Sequence, residues 1–239
     1  MNQGIYPLAA SMINQVNRLD IISNNLANMN SYGFKQEDVT EGTFNNYIQR
    51  ANSTKTVNSE NRALTDIPKL NSKYIDQTAG VIVQTGNELD FSLKEPDLFF
   101  KVQNQNGDIV YTRNGAFKVS DGFLIDSFGN SILNNDNEPI VVEGNVKDSL
   151  GVVRIDFNNL EQIGESKYKL LDNTNIDQII ADPGQYVLQA SVEKSNVNPI
   201  RSMIELIDAQ RRFEQSQKAI TTIDQINGNV IEKIGSNTK

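Results

Sequence analysis

Asp90 and Glu95 stand close together in a stretch of alternating apolar residues. Paired carboxylates of that kind can divide general acid and general base work between them. A second candidate is the segment 172–177, Asp-Asn-Thr-Asn-Ile-Asp, which sets oxygen-bearing side chains at near-alternate positions as a calcium loop does. Thr174 and Ile176 occupy places where carboxylate or amide oxygens are needed, and the glycine of such a loop is missing, so the segment reads as a polar surface loop. The acid pair is equally weak, because 30 acidic residues in one chain bring carboxylates together by chance. There is no Cys and no His, which removes thiolate nucleophiles, imidazole catalysis, disulfides and the usual zinc sites. No phosphate-binding loop ending in Gly-Lys-Ser/Thr occurs. The expectation is a non-enzyme with no catalytic residue, no metal and no cofactor.

The formal charge of −8 and the lack of any Lys/Arg run give no basic surface for nucleic acid. Charged or polar residues interrupt every apolar stretch, so no membrane insertion is expected. The segment 5–13 is apolar enough to weigh as a signal peptide. Its first basic residue is Arg18, downstream of that stretch, and the apolar face continues to Leu26, so a mature helix is expected instead.

With chemistry set aside, the informative pattern is helical. At the front, Ile5, Met12, Leu19 and Leu26 recur every seven residues, interleaved with Ala9, Val16 and Ser23. At the back, Leu206, Phe213, Ile220 and Ile234 do the same, interleaved with Ala209, Ile223 and Val230. A seven-residue repeat keeps a narrow seam toward a partner helix. The first helix is expected over 6–27, stopped by Asn24, Asn25, Asn28 and Asn30, with Gly33 making a sharp turn between the anchors Tyr32 and Phe34. The last begins at Asn198-Pro199, a cap followed by Pro at the first helical position, and loosens at Gly228. Leu8, Ile13 and Ile22 fall off the front seam, and Met203, Ile204 and Ile207 off the back one. Two helices alone leave these residues wet, so helices of neighbouring subunits are expected to cover them.

Between the ends the apolar period changes to two. Strands are expected over 81–85, 89–93, 98–102, 140–142, 152–157, 168–171 and 186–192, with turns at Asn106-Gly107, Asn114-Gly115, Asp121-Gly122 and Gly129-Asn130. The fold class is therefore α+β: N- and C-terminal helices forming a coiled-coil core, with an inserted antiparallel β domain, a sandwich or irregular barrel. The expected divisions are a helix over 1–29, an extended connector over 30–79 that can hold a short hairpin, the β domain over 80–192 and the second helix over 193–239.

The stretch Ser23-Asn24-Asn25-Leu26-Ala27-Asn28, followed by Gly33-Phe34-Lys35, resembles the N-terminal signature of bacterial flagellar rod and hook proteins. Ser195-Asn196-Val197-Asn198, leading into Met203, Leu206, Ile207, Ala209-Gln210-Arg211 and Phe213-Glu214, is similar to their C-terminal signature. Tyr111-Thr112-Arg113-Asn114-Gly115-Ala116-Phe117 and Ile163-Gly164-Glu165 resemble internal motifs of the same group. The resemblance implies a structural subunit of the flagellar basal-body rod, exported by the flagellar type III apparatus without a cleaved signal peptide. Its partners would be copies of itself and other rod proteins in the periplasm-spanning drive shaft. Arg211-Arg212-Phe213-Glu214 with Lys218, Ile220-Thr221 and Asp224 leans toward the proximal-rod type; a distal-rod or hook-type axial protein is the alternative. The assembly interface expected on this basis is Ile5, Met12, Val16, Leu19, Leu26, Leu206, Phe213, Ile220, Ile223 and Val230. A secreted β-rich carbohydrate-active enzyme would need aromatic platforms, which the lack of Trp disfavours, and an adhesin stalk would bring repeats or an export signal.

Overall fold

The computed structural model describes residues 5–43, 68–142, 144, 146–164, 166–171, 176 and 178–236. Among the described residues, two α-helices, short 3-10 turns and a set of β-strands fall into two compact units. One unit holds 1–26, 37–74 and 199–239; the other holds 27–36 and 75–198.

In the first unit, helix α1 (Ile5–Ala27) starts one residue before its expected place, and helix α2 (Pro199–Ser236) starts with Pro199 as its first residue. Helix α2 runs unbroken through Gly228, so the expected loosening there does not interrupt it. Ion pairs one turn apart, Arg201 with Glu205 and Arg212 with Asp208, each 2.9 Å, lie along α2. Part of the expected connector is regular: β1 (Glu37–Thr43) pairs with β2 (Pro68–Ile75). Its remaining stretch, 44–67, lies outside the described residues.

In the second unit, β5 (Leu98–Gln103) is the central strand. Leu98, Phe100 and Val102 point into one apolar cluster with Phe91, Leu93, Val110, Phe117, Leu124, Ile132 and Leu150. Phe99 enters a second cluster, edge-on to Phe157 at 5.1 Å and Tyr168 at 5.6 Å between ring centres. Alternation is visible in the sequence, but both faces of β5 are covered, as a central strand requires.

β5 pairs antiparallel with β6 (Ile109–Thr112), β9 (Ser131–Ile132) and β10 (Val152–Arg154). The nine-stranded sheet runs β11 (Leu160–Gly164), β12 (Lys167–Leu170), β6, β5, β9, β8 (Phe123–Ile125), β7 (Lys118–Ser120), with β13 (Gln178–Ile179) beside β10. Two small pairs lie beside it among the described residues: β4 (Phe91–Leu93) with β14 (Val187–Gln189), and β3 (Ile82–Gln84) with β15 (Ser191–Glu193). The β7–β8 hairpin turns on Asp121 (φ 51°) and Gly122 (φ 82°), a two-residue turn whose left-handed backbone matches strand twist.

Several expected strands are shorter or divided. The stretch 140–142 contributes only a bridge, Phe123 to Val141. The 152–157 run ends at Arg154, and Asp156 then caps a 3-10 turn by accepting from the Asn158 N–H. The 186–192 run is split at Ala190, whose φ of 57° breaks the extended chain. Asn114-Gly115 closes no hairpin: a Cβ on Gly115 would lie 1.7 Å from the Phe91 carbonyl oxygen, so this glycine serves close packing.

Candidate functional site: a buried charge clasp and two helical faces

The two carboxylates considered for acid–base work are each held by other partners. Asp90 accepts from Thr85 Oγ1 at 2.6 Å and Asn87 Nδ2 at 3.0 Å, while Glu95 pairs with Arg154 at 2.5 Å. Of the segment 172–177 only Ile176 is among the described residues. A cleft in the second unit is lined by Asn28, Asn30, Ser31, Tyr32, Asn114, Ser127, Phe128 and Ser166. Its walls are amides, hydroxyls and two aromatic rings.

The densest electrostatics lie where the N-terminal and internal signature stretches meet β15. Lys35, Arg113 and Glu193 are buried together, each side chain 1% exposed. Glu193 Oε1 accepts from Lys35 Nζ at 2.7 Å and from the Gly80 N–H at 2.8 Å. Glu193 Oε2 accepts from Arg113 Nε at 2.8 Å and Nη2 at 2.6 Å. The carboxylate therefore receives four donors, which is what a buried charge needs to offset its lost hydration. The remaining donors are also used. Arg113 Nη1 points at the carbonyls of Glu95, Pro96 and Leu98 at 2.6–3.0 Å, and Lys35 Nζ at that of Thr78 at 2.7 Å. Burial tends to raise the Glu193 carboxyl, but Arg113 and then Lys35 outweigh it and hold it below the usual carboxylate range. Lys35 is pulled down from the usual lysine range, first by burial, with Arg113 adding to the effect against Glu193.

Backbone geometry explains why Gly33 precedes this cluster. Its φ is 67°, and a Cβ there would meet Arg113 C at 2.3 Å and Asn114 N at 2.4 Å. Its N–H donates to the Glu193 carbonyl at 2.8 Å. Phe34 is buried beside it; Tyr32, expected as a second anchor, is exposed. Gln36 N–H donates to Asn196 Oδ1 at 2.7 Å, and Asn196 Nδ2 donates to the Asp76 and Thr78 carbonyls. The Asn-rich stop of α1 also has a specific use in the first unit. Asn25 Nδ2 donates to the Glu37 carbonyl at 2.7 Å and Asn25 Oδ1 accepts from its N–H at 2.9 Å, so one amide pins the start of β1. Asn28 Oδ1 accepts from Ser31 Oγ, while Asn24 is exposed and Ala27 is the last helical residue. Glu193 was not among the residues singled out from sequence. An acid beside Val192 in a strand-like run reads as solvent-facing, and only the fold shows two cations closing on it.

On the helices, the seam residues are placed as follows. Leu206, Phe213, Ile220 and Ile223 are half-buried, Ala209 is buried and Val230 is just exposed. Met203, Ile204 and Ile207 are exposed, as expected for positions off that stripe. On α1, Met12, Leu19 and Leu26 are half-buried, but Val16 is exposed and Gln15 and Ile22 are buried. The heptad of Met12, Leu19 and Leu26 fits two interleaved rows equally well. The expected row is Ala9, Val16 and Ser23; the chain instead buries Gln15 and Ile22 of the other row, with Leu8 and Ala9 both half-buried. The side chains of Ile5 and Ile234 lie outside the described residues.

These features define a structural chain: helical ends with uncovered apolar positions, a β body and a saturated internal ion cluster. Three family models match it: "Flagella basal body rod protein" over 6–35, "Flagellar hook protein FlgE/F/G D1 domain" over 96–156 and "Flagellar basal body rod FlgEFG protein C-terminal" over 188–232. It is 30% identical to the flagellar basal-body rod protein FlgG of Buchnera aphidicola subsp. Acyrthosiphon pisum, covering 89% of this chain and 92% of that one. The rod protein FlgF of Buchnera aphidicola subsp. Schizaphis graminum is 29% identical over 94% and 95% of the two chains. FlgF of Caulobacter vibrioides is 26% identical over 98% and 99%. The chain belongs to the family of flagellar basal-body rod proteins, structural subunits of the rod.

Proposed function

We propose that this chain assembles through its two terminal helices, with copies of itself and other rod proteins, into the periplasm-spanning shaft that transmits torque from motor to hook. It performs no chemistry and needs no cofactor. In the shaft the helices pack as coiled coils with those of neighbours, the stripe of Ile5, Met12, Val16, Leu19 and Leu26 against that of Leu206, Phe213, Ile220, Ile223 and Val230. The flagellar type III apparatus delivers it. Among rod proteins the proximal type is favoured by the run Arg211-Arg212-Phe213-Glu214 with Lys218, Ile220-Thr221 and Asp224, with the distal type the alternative.

The observation that carries this reading is apolar surface on helices. Ile13 is 62% exposed, Ile204 63% and Ile200 72%, with Val16, Met203 and Ile207 also exposed. Long helices that leave such residues in water call for further helices to cover them. Purified hook–basal bodies, separated from soluble and membrane fractions and read by mass spectrometry, should contain the chain. Its absence from those particles, with presence elsewhere in the cell, would overturn the proposal.

A further inference from the structure

We infer that Lys35, Arg113 and Glu193 form a separately opening clasp, and that Glu193 acts as a positioning residue: it fixes the segment that follows α1 against the segment that leads into α2 without being needed by the nine-stranded sheet. The inference deepens the rod reading, on which only its consequence for assembly rests.

Three observations within the second unit support it. The clasp region has its own ladder, β3 with β15, separate from the nine-stranded sheet. Its buried apolar residues, Phe34, Val192 and Val197, belong to neither apolar cluster of the sheet. Beside them its contacts are polar: Glu193 with Lys35, Arg113 and Gly80, Asn196 with Gln36, Asp76 and Thr78, and Ser191 of β15 with Ser92 of β4 at 2.8 Å. Arg113, just after β6, is the charged link to the sheet, and its third nitrogen anchors it there on three carbonyls. Neutralising Glu193 leaves two buried cations facing each other, a strong reason to open. Opening would release both chain exits, at Gln36 and Asn198, from one another. The phenylalanine clusters around β5 would stay packed, so the opening is local.

Amide hydrogen exchange on the purified chain, outside any rod, tests this. The reporters for the clasp are the Gly33 N–H, bonded to the Glu193 carbonyl, and the Gly80 N–H, bonded to its side chain. The reporters for the sheet are the Lys101 N–H, bonded to Gly151, and the Leu133 N–H, bonded to Lys101. In Glu193→Gln the clasp amides should exchange on the order of ten- to a hundredfold faster, with the sheet amides unchanged. Lys35→Met should do the same, and Lys35→Arg, which keeps the cation, should restore protection. Acceleration of all four amides together, or of none, overturns the inference. If the variants fail to fold, the unmodified chain in rising sub-denaturing urea decides. Gly33 and Gly80 should then show a shallower dependence on urea than Lys101 and Leu133, and a shared slope overturns the inference. Because the chain is measured outside any rod, the result stands whether or not the chain enters rods.

Discussion

The two units invert the usual placement of polar and apolar groups. In the β-rich unit, three charged side chains are sealed from water and every one of them is matched by a partner. In the helical unit, Ile13 and Val16 on α1 and Ile200, Ile204, Ile207 and Ile226 on α2 face water. A buried, saturated ion cluster specifies one geometry, since any shift leaves a charge unmatched. Exposed apolar helix positions specify nothing until another surface covers them. The helices of the first unit thus await a covering surface, while the second holds a fixed, packed interior even though Val81, Val141, Ile163 and Ile179 on its outside are exposed. That division suits a subunit whose body must arrive with fixed shape and whose helices must find neighbours.

The largest effect should come from the sheet. Phe99→Ala removes the ring that contacts both Phe157 and Tyr168 and should destabilise the β-rich unit by about 3–5 kcal/mol, read by urea unfolding. A loss under about 1 kcal/mol would mean that the second apolar cluster is not part of the core. Gly33→Ala sharpens the contrast between clasp and sheet. A Cβ at φ 67° and 2.3 Å from the Arg113 backbone must displace the turn, so the clasp amides should lose protection while the sheet keeps its own. An unchanged Gly80 amide in that variant would show that the close approach is relieved without opening.

Acid should act on the clasp. The Glu193 carboxyl is held below its ordinary value of 4.5, so the unfolded chain takes up the proton first. Its contribution is fully present above that ordinary value and is lost as pH falls through the lower, folded value. Clasp protection should therefore stay flat from neutral pH down to about 4.5 and fall only in stronger acid, and Glu193→Gln should abolish that acid limb. A midpoint for the clasp near neutral pH would contradict the assignment. The smallest effect belongs to the outer face of α2, where the Arg212–Asp208 pair is exposed on both sides. Arg212→Ala should change stability by less than about 0.5 kcal/mol.

The helices were the most legible part of the sequence because their apolar repeat spans many turns and Pro199 marks a start. Even so, a repeat of seven fixes one row and leaves the second ambiguous, and α1 covers Gln15 and Ile22 where Val16 was expected. The strands of the β body were legible by alternation, but not their ends: Asp156 and Ala190 break two runs through local geometry that no apolar pattern records. The clasp was half legible. Gly33, Lys35 and Arg113 stood within the signature stretches, yet Lys35 and Glu193 lie 158 residues apart in sequence. Local reading has no way to see two such charges meet. For the same reason Gly33 reads as a turn glycine, when the backbone of Arg113 is what leaves no room for a side chain there.

The central claim, that the helical ends are made for neighbours and the β body is made for itself, is tested most directly by Phe213→Asp. Phe213 is half-buried on the α2 stripe, and a carboxylate there would be unpaired inside any helical packing that covers it. The thermal unfolding of the β-rich unit in the purified chain and the amount of chain in purified hook–basal bodies are measured side by side. The account predicts unfolding of that unit at the unmodified temperature together with loss of the chain from the particles. Normal incorporation of the variant, or a β-rich unit that unfolds at a clearly lower temperature, would contradict it.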